Sequence, residues 1–88
     1  MTTVTVRLAD AGLSQSELQE QLGKLVGTVA KTCHVSAPTV EAVYPGDEHG
    51  RGKRTFVVKF ANHGGKAFAE NLNQMPGVEL AYVAPSRG

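Results

Sequence analysis

The chain has 88 residues, of which 41% are hydrophobic, so it is long enough for one domain with one modest core. Nine Lys/Arg against eight Asp/Glu leave a formal charge of +1, which argues against a protein that finds nucleic acid or an acidic membrane through a strong field. The lone cysteine, Cys33, cannot form an internal disulfide, and no apolar stretch approaches the ~20 residues needed to span a bilayer.

The first element is a strand. In Thr2 to Leu8, Val4, Val6 and Leu8 alternate with Thr3, Thr5 and Arg7 at the period of two expected of a half-buried strand. Ser14 followed by Glu17 is a capping box, and Leu18, Leu22, Leu25, Val26, Val29, Ala30 and Cys33 recur at helical spacing, which predicts a helix from about Gln15 to Cys33. Gly23 and Gly27 inside that helix are helix-weakening, and a close approach of the helix to the sheet is one reason for them.

After Ala37-Pro38, the run TVEAVY from Thr39 to Tyr44 and the run RTFVVKF from Arg54 to Phe60 predict a hairpin closed by the long charged loop PGDEHGRGK. Asn62 and Gly64-Gly65 open a second helix in which Phe68, Leu72 and Met75 share a face, and Pro76-Gly77 stops it. The last strand is Val78 to Val83. The order is therefore βαββαβ, the ferredoxin-like α+β arrangement, with two helices on one face of a four-stranded antiparallel sheet. Residues 1–84 form the domain and 85–88 a C-terminal tail.

Strand parity assigns the face opposite the helices. Thr3, Thr5, Arg7, Glu41, Val43, Thr55, Val57 and Lys59 point outward, while Phe56, Val58 and Phe60 point inward. RNA-recognition modules share this fold, and GRGKRTFVVKF superficially resembles their basic-aromatic third-strand motif. Alignment, however, places Thr55 and Val57 where base-stacking aromatics belong. A Thr/Val surface without rings on the central strands suits packing against a protein better than stacking of bases.

Catalytic and metal signatures are missing from the sequence. Cys33 continues an apolar stripe and reads as an inert thiol, His34, His49 and His63 have no ligand spacing, and Gly46, Gly50 and Gly52 do not form a phosphate loop. Asp10, Glu17, Glu20, Glu41, Glu70 and Glu79 are scattered, with no acid/base pair. The reading is a non-enzyme without cofactor or metal. Asp47, Glu48, Arg51, Lys53 and Arg54 are candidates for polar contacts at the rim of an interface.

One stretch resembles a known family. KAFAENLNQMPGVELAYVAP, through Leu72, Pro76-Gly77-Val78-Glu79 and Ala81-Tyr82-Val83, is similar to the end of the inhibitor I9 type propeptides of subtilisin-like serine proteases. That resemblance implies a domain that packs its open sheet on surface helices of the protease, assists its folding, and sends its C-terminal tail through the active-site cleft. The implied docking residues are Thr3, Thr5, Arg7, Glu41, Thr55, Val57 and Lys59, with Tyr82, Val83, Ala84, Pro85 and Ser86 as the start of the tail. The long charged PGDEHGRGK departs from the short turn usual in the family. The alternative is an interaction or homo-oligomerisation domain that uses the open sheet or the edges of the second and fourth strands. Without an export signal at Met1 to Asp10, a cytoplasmic location is expected unless the chain derives from an exported precursor.

Overall fold

The computed structural model describes residues 2–10, 12–46, 50–61 and 64–83. Its elements are β1 (Thr2–Leu8), α1 (Gln15–Cys33), β2 (Thr39–Ala42), α2 (Gly50–Arg54), β3 (Thr55–Phe60), α3 (Gly65–Asn73) and β4 (Val78–Val83). All four strands join one antiparallel sheet in the order β2-β3-β1-β4. β1 and β2 thus flank β3, and β3 and β4 flank β1, which is the split βαβ pattern of a ferredoxin-like fold.

The long helix forms where its signals are. Ser14 accepts the Glu17 N–H while Glu17 accepts the Ser14 N–H, completing the capping box, and His34 closes the other end in the left-handed conformation. Leu18, Leu22, Val26, Val29 and Ala30 turn inward to meet Val4, Val6, Leu8, Phe56, Val58 and Phe60 from the sheet. From α3, Phe68, Ala69 and Leu72 enter the same core, and the Phe68 ring lies 4.9 Å from that of Phe60. Each buried Leu or Phe contributes about 1.5–3 kcal/mol relative to exposure, so these three elements supply the main cohesion.

α3 begins at Gly65, where the backbone lies close against β1 and β4. A Cβ on Gly65 would meet Thr2 Cγ2 at 2.5 Å and Val83 Cγ2 at 3.2 Å, so no larger side chain fits without a shift. Gly77, at φ +87°, makes the left-handed turn into β4.

Three expectations are corrected. Gly23 and Gly27 are exposed, with nothing within 4 Å of a Cβ built on either, so they do not bring α1 closer to the sheet. β2 ends at Ala42 instead of Tyr44, because the chain turns away as Gln15 takes the Tyr44 carbonyl. Arg54 belongs to α2, a five-residue helix between β2 and β3, and not to the strand that follows.

Candidate functional site: the open sheet face

The face of the sheet opposite α1 and α3 is built in cross-strand rows. Glu41 lies opposite Val57, Val57 opposite Thr5, and Thr5 opposite Tyr82. One step along, Thr55 lies opposite Arg7 and Arg7 opposite Leu80, with Val43 extending this row through its N–H to the Thr55 carbonyl. At the other end, Thr39, Lys59 and Thr3 line up. The parity deduced for β1, β2 and β3 therefore holds, since Thr3, Thr5, Arg7, Thr55, Val57 and Lys59 are half-buried and alternate with fully buried core residues.

β4 is where the periodicity misleads. In VELAYV the larger apolar residues sit at Val78, Leu80 and Tyr82, yet Ala81 faces the core at 4% exposure while Leu80 and Tyr82 are 40% and 46% exposed. Register against β1 decides this, because Ala81 lies opposite buried Val6 while Leu80 and Tyr82 lie opposite the outward Arg7 and Thr5, and a β-bulge lets Val78 return to the core side. Arg7 pairs with Leu80 but Leu8 pairs with Val78, so Glu79 is the extra residue and its side chain is re-aimed at the sheet end. Leu80 is thereby a face residue that sequence reasoning missed. Val83, expected to begin the docking tail, pairs with Val4 and packs toward Gly65 on the helix side. Ala84, Pro85 and Ser86 lie outside the described residues, as do Asp47, Glu48, His49, His63 and the side chain of Arg51.

Charges on this face are few. Lys59 Nζ sits 3.0 Å from Glu41 Oε2 across the β2–β3 pair. At the sheet end Arg54 Nη1 donates to Glu79 Oε2 at 2.6 Å and to the Leu8 carbonyl at 2.9 Å, which anchors α2 to both β1 and β4. Arg7 Nη1 is 3.9 Å from Glu79 Oε1.

Side-chain amides from the helices reach each edge of the sheet at one point. On β4, Asn73 Nδ2 donates to the Ala81 carbonyl at 2.7 Å and Asn73 Oδ1 accepts the Ala81 N–H at 2.8 Å, so one side chain occupies both groups that an added strand would pair with. On the β2 side, Gln19 Nε2 donates to the Val40 carbonyl at 3.4 Å, and the buried Gln15 donates to the Tyr44 carbonyl at 2.9 Å while accepting the Gly46 N–H at 3.0 Å. These contacts blunt edges that would otherwise template pairing with another chain.

Other chemistry is sparse among the described residues. They enclose no pocket, bring no three His, Cys, Asp or Glu side chains together as a metal would need, and include no helix long and apolar enough to cross a membrane. Cys33 is half-buried against the core, its sulfur 3.6 Å from Asn71 Nδ2, and His34 beside it is exposed. Central-strand face positions carry no ring, and Tyr82 on an edge strand is the one aromatic residue among the described positions of this face. Comparison of the chain with protein-family models, curated proteins and solved structures finds no match to any of them.

Proposed function

We propose that this domain is a non-catalytic docking module that binds a subtilisin-like serine protease through the open face of its sheet, as inhibitor, folding assistant or both. The observation that carries the reading is the face itself. Half-exposed Val57 and the threonines of β1 and β3 are flanked by exposed Leu80, Tyr82 and Val43, a mixed apolar and neutral-polar surface of the composition that protein interfaces bury. Side-chain amides occupy Ala81 on the β4 edge and the Val40 carbonyl on the β2 edge, which favours docking on the face over addition of a strand at those points. The similarity of KAFAENLNQMPGVELAYVAP to I9 type propeptides supplies the class of partner, with the residues after Val83 directed to the cleft.

A domain that binds the native protease better than its unfolded chain stabilises it by mass action, so inhibition and folding assistance follow from one interface. Inhibition of a subtilisin-type protease by the purified chain, with and without residues 84–88, tests this. Inhibition that weakens on removal of those residues and on Val57→Lys is expected. A chain that neither inhibits nor binds the protease removes the proposal. Lysine is preferred to aspartate at position 57 because Glu41 lies directly opposite, where a second carboxylate would add like-charge repulsion.

A further inference from the structure

Arg7 occupies β1 in the middle of a face row, between Thr55 and Leu80. Its charge is poorly matched. The nearest carboxylate oxygen, Glu79 Oε1, is 3.9 Å from Nη1, beyond hydrogen-bond reach. That carboxylate already has a closer partner in Arg54, at 2.6 Å, and the Arg54 side chain is 15% exposed against 29% for Arg7. Two guanidinium groups thus share one carboxylate. Arg7 Nε is also buried without a hydrogen-bond partner among the described residues, a state that few buried donors are left in. Lys59, the other cation of the face, is matched by Glu41.

We propose that Arg7 is the specificity anchor of the docking face, and that it takes a carboxylate from an Asp or Glu on the surface of the partner protein. This rests on the docking reading above. A guanidinium fork receives a carboxylate through two parallel N–H donors, and a side-on pair using Nε and one Nη satisfies the donor that is orphaned in the free domain. Turning Arg7 toward a partner leaves Glu79 paired, because Arg54 retains that carboxylate. Once the partner covers the face and excludes water, the pair strengthens.

The test measures affinity for subtilisin whose catalytic serine is replaced by alanine, at low and high salt, for the unaltered chain, Arg7→Gln, Arg7→Lys and Lys59→Gln. Arg7→Gln is expected to bind about tenfold or more weakly and with a shallower salt dependence, and Arg7→Lys to recover part of the loss. Lys59→Gln should stay within about threefold, its charge being already neutralised by Glu41. Since the Arg7 side chain makes no hydrogen bond among the described residues, Arg7→Gln should melt within a few degrees of the unaltered chain. Binding that is unchanged in Arg7→Gln, or weakened equally in Lys59→Gln, overturns the anchor and leaves face docking standing. A chain that does not bind at all overturns both.

Discussion

Asn73 offers a sharp test of how this domain closes its sheet. Both polar groups of the Ala81 peptide units on the β4 edge are held by that one side chain, at 2.7 and 2.8 Å, and Ala81 is 4% exposed, so water does not freely replace the lost bonds. Each such hydrogen bond is worth about 0.5–1.5 kcal/mol net, which gives a loss of about 1–3 kcal/mol for Asn73→Ala. In a domain of this size that lowers the melting temperature by roughly 5–20 °C. Thermal unfolding followed by circular dichroism reads the loss, and sedimentation reads whether the bared edge now pairs with a second copy, as exposed edges do. Asn73→Asp separates the bond from the packing. It keeps the acceptor for the Ala81 N–H but at neutral pH sets a carboxylate against the Ala81 carbonyl, so it should destabilise at least as much as Asn73→Ala. Its neutral carboxyl donates to that carbonyl, so the folded chain holds the proton more tightly than the unfolded chain, where the group titrates near about 3.9. The deficit relative to the unaltered chain should therefore shrink as pH falls through the raised folded value. A loss below about 0.5 kcal/mol for Asn73→Ala, with no pH-dependent recovery for Asn73→Asp, would refute the reasoning.

Three further outcomes follow from the same structure. Val58→Asp places an unpaired carboxyl at a fully buried position and should unfold a domain whose total stability is on the order of 5–15 kcal/mol, whereas Val57→Lys on the open face should cost less than about 1 kcal/mol; equal losses in urea unfolding would reverse the face assignment. Gly23→Ala with Gly27→Ala should stabilise by about 1–2 kcal/mol in total, since a methyl group at either meets no neighbour; a loss of stability would mean that α1 is packed there after all. Glu17 is held below the ordinary carboxylate value, first by the Ser14 N–H it accepts and then by the Ser14 side chain. Its depressed folded value means that its stabilisation is present above the unfolded value and is lost as pH falls through the folded one, so the gap in melting temperature between the unaltered chain and Glu17→Gln should narrow in acid; a gap independent of pH would argue against it.

Much of this architecture is legible in the sequence because local signals agree with one another. The Ser14/Glu17 box and the apolar repeat define α1 from Gln15 to Cys33, and strict alternation defines which side of β1 and β3 is buried. α2 escapes notice because GRGKR has no apolar period to announce a helix and carries two glycines. The facing of Leu80 and Ala81 is hidden for a different reason. Their register against β1, and the bulge at Glu79 beside them, are set by pairing between distant strands, which a local pattern does not record. The edge caps are equally silent, since Gln15, Gln19 and Asn73 read as solvent-facing helix residues until partners 29, 21 and 8 positions away are folded against them. Of the docking residues, those on β1, β2 and β3 lie together on one face, while Val83 turns to the helix side.

The central claim is that a protease docks on the open face. Amide hydrogen exchange of the chain, alone and bound to the catalytically inactive subtilisin, tests it most directly by locating the protected strip. Added protection along Thr3 to Arg7, Thr55 to Lys59 and Leu80 to Tyr82, with the exposed side of α1 unaffected, is the predicted result. Protection confined to α1 and α3, or none at any position, would contradict it.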